Sequence, residues 1–538
     1  MKSLIVGCAT VLTLLLGALS GVYAESATWN PNPINGDWNT AANWTPNTVP
    51  NGPNDIATFE ASNQTDVTIS AETEVNELVF RPGASGFTVN LTEDRTFTIS
   101  GTGITNNSGI GQNFVVEKKS DLDLTNSATV GELTFFTVLG GTGTLGDGGA
   151  IFFLDTSSAG HGTFVVNGAA DDFGNGAAIG FENNATAGNG TFTVKSGGTA
   201  IVFFVSPATA GNASFVIEGG PEQASVAFFG SEATAGNGIF NINGGTTPGA
   251  SGGFVQFSSG TAGSATFITH PGTNGGGGGS IDFLAADESE ARFELLGGSL
   301  LALFGGDDAT LGVGSIEGDG SIKLSGNVLI TGANNLSTIF SGTIDTGSLR
   351  KIGTGILKLS GANTYNGGTT VSEGGLAINN TTGSGTGTGA VQVSGGILAG
   401  DGTIAGAVTV GTGSGAGSFL TPAMGASKAT TLTIQRMLTF KADATYTCSL
   451  NTRKKMADQV IAKGVTIESG AQFIFVPIVN KRLMPGTVFT VIDNTAATQI
   501  AGTFSNLPDD STFTVGRNSF QVSYSGGDGN DLTLTVVQ

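Results

Sequence analysis

The chain contains few of the residues that usually cross-link an exported protein or carry out catalysis. Its 538 residues include two cysteines, two histidines and three tryptophans. One cysteine, Cys8, lies in an apolar N-terminal segment, so a chain without that segment keeps only Cys448 and cannot form an internal disulfide. An exported protein of this size must then be stabilised by repeated apolar burial and backbone hydrogen bonds.

Basic residues are scarce as well. The chain has 21 of them against 42 acidic residues, for a net charge of −21. Binding a nucleic acid requires clustered lysines and arginines, because the phosphate backbone provides most of the affinity. The composition therefore excludes nucleic acid as a main partner.

Long apolar runs are missing after Ala24. The N-terminal segment places Lys2 before an apolar run that extends from Leu4 to Leu19, and it ends in Val22-Tyr23-Ala24. This pattern predicts a signal peptide cleaved after Ala24, hence secretion or display at the surface of a bacterium. A lipidation site at Cys8 is the alternative, but too few apolar residues precede that cysteine. No later stretch approaches the roughly 18 apolar residues of a membrane helix, so no transmembrane anchor is expected.

Glycine and phenylalanine are abundant, with 88 and 34 residues. Nearly the same octapeptide occurs three times: ATAGNGTF at 185–192, ATAGNASF at 208–215 and ATAGNGIF at 233–240. Each copy ends in a phenylalanine. This phenylalanine lies a constant number of positions after an earlier one, in the pairs Phe181 and Phe192, Phe204 and Phe215, and Phe229 and Phe240. Six such pairs occur between positions 150 and 300, and the last two are closer by a single position.

The repeat has one rigid and one variable half, since its second phenylalanines follow one another at unequal intervals, at positions 164, 192, 215, 240, 267 and 293. A period of roughly 25 residues lies within the range of solenoid repeats. Short strands with glycine-rich corners and no helical period predict an all-β fold, a right-handed parallel β-helix. Phe153, Phe181, Phe204 and Phe229 are expected to stack inside it, and asparagines such as Asn189 and Asn212 to form a ladder at the corner.

One segment carries a family resemblance. Residues 349–378 read LRKIGTGILKLSGANTYNGGTTVSEGGLAI. The stretch resembles the autotransporter-associated β-strand repeat, also called the passenger-associated transport repeat. The residues that match are Lys351, Gly353, Gly355, Leu357, Leu359-Ser360-Gly361, Asn363-Thr364-Tyr365, Gly367 to Val371 and Gly374 to Leu376.

The C-terminal part is similar to the segment that often follows such repeats in large secreted bacterial proteins. Its marks are Gly400 to Ile404, Leu432 to Ile434, Tyr446, Asp458 to Val460, Phe489 to Asp493, Tyr524 and Gly526 to Asp531. The resemblance implies an exported β-helical surface protein of adhesin-like type, with no catalytic residues to transfer. Because the chain stops at 534–538 after a glycine-rich turn, the C-terminal translocator barrel of autotransporters is expected to be lacking.

These features divide the chain as follows. Residues 1–24 are the signal peptide and 25–66 are a Trp- and Pro-rich N-terminal cap. Residues 67–348 are the β-helix, 349–410 the passenger-type repeat and last coils, and 411–538 a C-terminal β domain or cap.

In this last part, antiparallel strands are expected from about Leu432, with a hairpin of 520–524 and 532–536 turning at 526–530. The tryptophans Trp29, Trp38 and Trp44 are interpreted as cap residues, and a sugar-stacking platform is the alternative.

Three acidic pairs are the obvious candidates for carboxylate catalysis: Asp171-Asp172, Asp307-Asp308 and Asp509-Asp510. A β-helical polysaccharide-degrading enzyme needs carboxylates grouped on one face, alone or with a base or calcium. Nothing in the repeat stacks acids on successive coils, so the pairs are interpreted as solvated turn residues.

The remaining candidate sites are also interpreted as structural. His161 occupies a corner position and His270 precedes a proline, so neither predicts a metal site. Gly526 to Asp531 resembles a single calcium-binding nonapeptide, which makes half a site at best, and is interpreted as a hairpin turn. The glycine run 273–279 has no following Lys-Ser/Thr and is a loop, not a phosphate site. No catalytic, cofactor-binding or metal-binding residue is predicted, and no cofactor.

Two classes of function remain. The first is a non-catalytic surface or matrix protein, adhesin-like, that displays loops on a rigid rod. The alternative is a pectin-lyase-like polysaccharide-degrading enzyme. The expected binding surface is the loop face formed by 169–175, 246–252 and 271–279, with glycans or cell-surface proteins as candidate partners.

Overall fold

A computed structural model describes residues 25–537, apart from 93, 143–146, 170–174, 221–224, 286, 307–308, 416, 425–428 and 480. The predicted signal peptide, Asp171-Asp172 and Asp307-Asp308 lie outside the described residues. The described residues form β-strands and one short 3-10 helix, Ala41–Asn43. The strands belong to four sheets.

The first sheet has 16 strands. They are Ala27–Trp29, Trp44–Thr45, Gly52–Phe59, Thr73–Phe80, Thr96–Asn106, Asp121–Leu124, Thr129–Val130, Ala150–Phe153, Ala178–Phe181, Ile201–Phe204, Val226–Phe229, Phe254–Phe257, Ser280–Phe283, Leu300–Leu303, Ser321–Lys323 and Thr343–Asp345.

The second sheet runs alongside the first and continues beyond it. Its strands are Asp66–Ile69, Thr88–Leu91, Gln112–Val116, Thr134–Val138, Thr163–Val166, Thr191–Val194, Ser214–Ile217, Ile239–Ile242, Thr266–Thr269, Arg292–Leu295, Ser315–Gly318, Thr338–Phe340, Ile356–Leu359, Gly375–Ile378, Gly396–Gly400, Ser418–Leu420, Ala444–Asn451, Met456–Ala457 and Gln472–Val479.

Two smaller sheets complete the molecule. The third sheet contains Asp287–Glu288, Thr310–Val313, Val328–Thr331, Ser348–Lys351, Thr369–Val371, Val391–Val393, Val408–Val410, Leu438–Phe440 and Val465–Ile467. The C-terminal sheet contains Thr403–Ile404, Thr431–Ile434, Gln459–Ala462, Val488–Asn494, Thr512–Val515, Asn518–Gly526 and Asp531–Val536.

The chain coils so that most strands pair in parallel with their counterparts one repeat later. Phe181 lies in register with Phe204, and Phe192 with Phe215. Along most four-residue strands a half-exposed residue alternates with a buried one, because successive side chains of a strand point to opposite faces. The predicted parallel β-helix is therefore the observed architecture, a β-solenoid whose core is the space between its sheets.

Two phenylalanine ladders fill that core. In the first, Phe153, Phe181, Phe204 and Phe229 stack with ring centroids 4.7 to 4.8 Å apart, as predicted. The ladder continues through Phe257 and Phe283. The second ladder contains the predicted Phe164, Phe192, Phe215, Phe240, Phe267 and Phe293, and it begins two coils earlier than predicted, at Phe114 and Phe136.

The ladders also contact each other within each coil. Phe181 meets Phe192 edge to face, with centroids 5.9 Å apart and an interplanar angle of 77°. Phe204 and Phe215 repeat this at 6.0 Å and 79°. Stacking between coils and edge-to-face contact within each coil are both favourable arrangements of aromatic rings. The constant distance along the chain between the two phenylalanines of a repeat keeps both contacts in place.

The octapeptide forms the corner between the two sheets. In ATAGNGTF, Ala185 and Ala187 are buried, and Thr186 pairs with Ser158 and Thr209 of the neighbouring coils. The Thr186 hydroxyl accepts a hydrogen bond from the Gly188 N–H, at 3.0 Å. Gly188 has φ +59°, a left-handed conformation that glycine adopts without cost. Every position in the corner thus has a structural role.

Asparagines form a second ladder on the outside of this corner. The Nδ2 of Asn212 donates to Oδ1 of Asn189 at 3.3 Å, and the Nδ2 of Asn237 donates to Oδ1 of Asn212 at 3.1 Å. His161 occupies the equivalent position one coil before Asn189. The predicted asparagine ladder is present.

The cross-section changes near residue 287. Before that point the corner contributes mostly single bridging residues, such as Thr234 and Thr261. From Asp287 onward the corner widens into the strands of the third sheet, and leucines such as Leu301 and Leu311 replace phenylalanine in the core. The sequence did not predict this third sheet.

The N-terminal tryptophans close the first coil. Trp29, Trp38 and Trp44 are at most 1% exposed, and Trp44 meets the other two edge to face at 5.1 and 4.8 Å. Each indole N–H donates to a backbone oxygen, that of Gln64, Pro50 and Trp38 respectively. Because the rings are buried, they cannot stack on a sugar from solvent.

Parallel pairing covers more of the chain than predicted. It begins before Val67, since Ala27 pairs in parallel with Ala57, and it continues beyond Val410, since Leu432 pairs in parallel with Val460. The predicted C-terminal antiparallel region is present, but it begins near Val488 and not at about Leu432. Alternating apolar residues do not encode strand direction, but the interval from Leu432 to Val460 matches one coil of the repeat.

Antiparallel pairing is concentrated at the end of the described chain. Strand Val488–Asn494 pairs antiparallel with Asp531–Val536, which forms a hairpin with Asn518–Gly526. Phe520 faces Val536 and Val522 faces Leu534, so the predicted hairpin and its turn are present. Phe520 packs against Phe475 of the second sheet, with centroids 5.3 Å apart, and joins this hairpin to the last coil.

Candidate functional site

The outer face of the first sheet carries aromatic side chains in the repeat region. Its strands Ala150–Phe153, Ile201–Phe204 and Val226–Phe229 end in two consecutive phenylalanines, of which the second points into the core. The first therefore points outward, where Phe152, Phe203 and Phe228 are half-buried. We call these three residues the outer aromatic row.

The outer aromatic row is nearly continuous along the solenoid. Phe203 lies in register with Phe228 on one side and with Gly180 on the other. Phe152 reaches Phe203 across Gly180, with ring centroids 6.3 Å apart and an interplanar angle of 66°. A β-carbon at Gly180 would lie 2.4 Å from the Phe203 ring, so glycine leaves room for this contact.

A carboxylate side chain lies at each end of the outer aromatic row. Asp123 lies in register with Phe152, and Asp282 is two strands beyond Phe228 in the same row. Burial raises the pKa of Asp282 to about 6. Burial, and then the neighbouring Asp121, raise the pKa of Asp123 to about 6. The row can therefore bind a partner through apolar contact at its centre and through hydrogen bonds to carboxyl groups at its ends.

The loops predicted as the binding surface adjoin this face. Segments 246–252 and 271–279 lead into the first-sheet strands Phe254–Phe257 and Ser280–Phe283. They also bind each other: the Gly245 N–H donates to the Gly277 oxygen at 2.8 Å, and Nδ2 of Asn274 donates to the Thr246 oxygen at 3.2 Å. These two loops form one stacked surface. Loop 169–175 is described only at its ends.

Sequence reasoning missed the outer aromatic row, although a signal for it was available. The phenylalanine doublets 152–153, 203–204 and 228–229 place one ring on each side of a strand, because side chains alternate. Only the inward phenylalanine of each doublet entered the predicted ladders.

Of the candidate catalytic pairs, Asp509-Asp510 lies within the described residues, and the Asp509 carboxylate has structural partners. The Oδ1 of Asp509 accepts hydrogen bonds from the N–H groups of Tyr524 and Asp510, at 3.0 and 3.1 Å, and so fixes a turn. The Oδ1 of Asp531 accepts from the Asn494 N–H at 2.9 Å, which ties the glycine-rich turn to the neighbouring strand.

The two histidines lie on coils that are four repeats apart, so the structure does not bring them together. Each backbone N–H takes part in the coil, His161 with the Val130 oxygen at 3.1 Å and His270 with the Ile242 oxygen at 2.8 Å. Across the described part of the chain, no three His, Cys, Asp or Glu residues form a group that could hold a metal ion.

Two grooves lie outside the aromatic face. The first, of about 480 Å³, opens where the third sheet begins and is lined by apolar strand residues together with Glu288 and Glu290. The second, of about 860 Å³, lies near the C-terminal sheet and places Arg436 and Lys463 beside the exposed Met437. The first therefore carries acidic groups and the second basic groups.

The segment 349–378 is built around buried polar side chains. The Nζ of Lys351 donates to the backbone oxygens of Ile352 and Gly353, and burial lowers its pKa to about 8 although Glu373 acts in the opposite direction. Asn363 joins three successive coils, since its Oδ1 accepts from the Ile344 N–H at 2.8 Å and its Nδ2 donates to the Gly385 oxygen at 2.7 Å. The hydroxyl of the buried Tyr365 bonds to that of Thr369, at 2.7 Å.

These contacts explain the composition of the segment. Its Lys, Asn, Tyr and Thr residues satisfy backbone and hydroxyl groups that the turn would otherwise leave buried without partners. Within the described residues, none of the helical structure is long or apolar enough to cross a bilayer.

Comparison with known proteins gives one family match. The model of the passenger-associated-transport-repeat matches residues 349–378. No curated protein matches the chain. Among solved structures, the Haemophilus influenzae Hap adhesin is similar at 10% sequence identity and a TM-score of 0.22, over 90% of this chain and 64% of that one. The chain thus spans less than two thirds of the length of that adhesin, and at this TM-score the likeness supports no argument.

The resemblance that residues 349–378 suggested is confirmed by the family model, and the coil around them is parallel as that resemblance implies. The protein is therefore a parallel β-solenoid that carries a passenger-associated transport repeat.

Proposed function

We propose that the protein is an exported, non-catalytic surface or matrix protein of adhesin-like type. The observation that carries the proposal is the passenger-associated transport repeat at 349–378, which forms an integral coil of the solenoid. A repeat of this kind is expected in a passenger that is displayed outside the cell. Export would require cleavage of the signal peptide after Ala24.

The binding surface in this proposal is the outer aromatic row together with the adjoining loops. Exposed apolar surface on a soluble protein is typical of a site of interaction, and aromatic rings contribute much of the affinity at such sites. Glycans or cell-surface proteins are the proposed partners. Asp123 and Asp282 would contact polar groups of the partner at either end of the row.

A glycan array and a panel of purified cell-surface proteins, probed with the mature chain, test the proposal. The double variant Phe203→Ser/Phe228→Ser should lower binding at least tenfold while the protein stays folded, because both side chains point outward. The double variant Val216→Ser/Ile268→Ser is the matched control, since it changes half-buried outward residues of the second sheet. Equal binding by both variants would contradict the assignment of the aromatic row.

The alternative, a polysaccharide-degrading enzyme, is tested with a reducing-sugar assay on acidic polysaccharides. The proposed function predicts no turnover. Turnover by the unmodified chain that disappears in Asp171→Asn or Asp172→Asn would show that the protein is an enzyme and would contradict the proposed function. The expected result is that Asp171→Asn and Asp172→Asn both keep their binding and that neither shows turnover.

A further inference from the structure

Basic residues are concentrated at one end of the chain. Residues 425–538 hold 10 of the 21 basic residues but only 8 of the 42 acidic ones. This region is therefore slightly positive, whereas the chain as a whole has a net charge of −21. The overall charge conceals this difference.

Three loops of this region lie against one another. The Thr452 hydroxyl donates to the Val479 oxygen and accepts from the Lys481 N–H, at 2.7 Å for the second bond. The Asn518 side chain joins the third loop, since Nδ2 donates to the Lys481 oxygen at 2.9 Å and Oδ1 accepts from the Leu483 N–H at 2.7 Å. Loops 451–456 and 515–518, together with residues 479 and 481–484, thus form one surface.

That surface carries five exposed cations, which we call the basic end: Arg453, Lys454, Lys455, Lys481 and Arg482. The three loops contain no aspartate or glutamate. The nearby Asp458 is buried and points inward, where it accepts from the N–H groups of Ser449 and Thr430 at 2.8 and 3.0 Å. Its carboxylate is therefore not available to neutralise the basic end.

Large aliphatic side chains are exposed around the same loops. Met456 is 49% exposed at the tip of the first loop, and Met484 is 69% exposed at the end of the second. Val488, 56% exposed, follows in the adjoining strand. A soluble surface seldom places several such residues beside clustered cations unless both contact a partner.

We propose that the basic end docks on an anionic lipid surface. Lysines and arginines next to a membrane are attracted by acidic headgroups, and neighbouring aliphatic side chains can enter the boundary between headgroups and acyl chains. A single-stranded nucleic acid or a glycan would be bound through aromatic platforms, and the exposed side chains here are aliphatic. This docking is independent of the outer aromatic row, which lies on earlier coils.

Co-sedimentation with vesicles tests this proposal. The mature chain should bind vesicles of phosphatidylglycerol and phosphatidylcholine at low salt, and it should bind pure phosphatidylcholine at least 100-fold more weakly. The triple variant Arg453→Gln/Lys454→Gln/Lys455→Gln should lower the partition coefficient for anionic vesicles about 100-fold. The double variant Met456→Ser/Met484→Ser should lower it about tenfold without changing its dependence on salt.

The matched control is Lys195→Gln/Lys323→Gln/Arg350→Gln, which removes three exposed cations elsewhere on the solenoid. It should bind anionic vesicles as the unmodified chain does. Equal binding to neutral and anionic vesicles, no binding to either, or an equal loss in the control would overturn the proposal. So would binding of a DNA duplex or of polygalacturonate that the triple variant abolishes, combined with no binding to vesicles.

Discussion

Single phenylalanines hold the coils of this protein together. Phe192 stacks on Phe164 and Phe215 at 4.7 and 4.8 Å and meets Phe181 edge to face. Phe203, by contrast, lies on the outer face and is only half-buried. Phenylalanines of the same repeat region therefore have different roles, which depend on the face of the strand from which the side chain projects.

Replacement of Phe192 by alanine should be strongly destabilising. It removes three ring contacts and leaves a cavity in the core, so the free energy of unfolding should fall by about 3–5 kcal/mol. Phe203→Ala should cost about 1 kcal/mol or less, because its ring is already partly in solvent. Urea unfolding followed by circular dichroism measures both, and similar losses in the two variants would contradict the assignment of inner and outer faces.

The raised pKa of Asp282 gives a dependence of stability on pH. In the folded protein burial lets this carboxyl group keep its proton up to about pH 6, whereas its ordinary pKa is 3.8. Between these values the folded state binds more protons than the unfolded state, so the free energy of unfolding falls as pH rises. Asp282→Asn removes this contribution and should be more stable than the unmodified protein at pH 7.

The measurement is the difference in unfolding free energy between variant and unmodified protein at pH 4 and at pH 7. The difference should grow in favour of Asp282→Asn between these two values. Glu232→Gln, which changes an exposed carboxylate, is the matched control. A difference that stays constant for Asp282→Asn would show that its carboxyl group is not shielded from water.

At the scale of elements, the corner of the octapeptide is the most constrained part of the coil. Gly211 has φ +59°, and a β-carbon there would lie 2.8 Å from the backbone oxygen of Gly188. Asn212, the next residue, is exposed and contributes one donor and one acceptor to the asparagine ladder. The backbone conformation should therefore matter more than the side-chain ladder.

Gly211→Ala should lower the free energy of unfolding by at least about 1–2 kcal/mol, because alanine is strained in the left-handed conformation and would crowd the adjacent coil. Asn212→Ala should cost about 0.5–1.5 kcal/mol, since two hydrogen bonds at the surface are lost. Thermal unfolding of both variants gives the comparison. A larger loss for Asn212→Ala would mean that the ladder, not the glycine conformation, determines the corner.

The last coil depends on a different element, the C-terminal hairpin. The free edge of strand Gln472–Val479 is partly protected by Asn506, whose side chain bonds to the N–H and the oxygen of Phe473 at 2.8 Å, and by Pro477, which has no N–H. The hairpin adds apolar cover through Phe520, which packs against Phe475, Phe489 and Phe513.

Deletion of residues 518–538 should uncover those rings and cause association. We expect aggregates in size-exclusion chromatography with light scattering, because an apolar strand edge is a template for pairing. The substitution Gln521→Ala keeps the hairpin and changes an exposed residue, so it should remain monomeric. A monomeric deletion variant would show that the hairpin is not needed to close the last coil.

At the scale of the whole molecule, the architecture could be predicted where the repeat is regular. The positions of Phe181 and Phe204 in one ladder and of Phe192 and Phe215 in another follow from spacing alone, because a coil of nearly constant length places equivalent residues in register. The extent of the solenoid was underestimated, since alternation along Leu432 to Ile434 has no directional information.

The surfaces were less predictable than the core. The outer aromatic row is encoded in the doublets, but nothing in the sequence says whether an outward ring remains accessible after loops fold. The basic end is formed by two loops that are well separated along the chain, from Arg453 in the first to Arg482 in the second. Their proximity depends on the hydrogen bonds of Thr452 and Asn518, which no local pattern encodes.

Each repeat adds one coil in parallel register, and pulsed electron paramagnetic resonance between spin labels measures the resulting spacing. Thr137, Asn241, Ile268 and Glu294 occupy the same outward row of the second sheet. Labels at cysteines in place of Thr137 and of Asn241, Ile268 or Glu294 should be about 19, 24 and 29 Å apart, since each coil adds about 4.8 Å. Cys448 is buried and should stay unlabelled. Distances that fail to increase in steps of about 5 Å would contradict the stacked-coil structure.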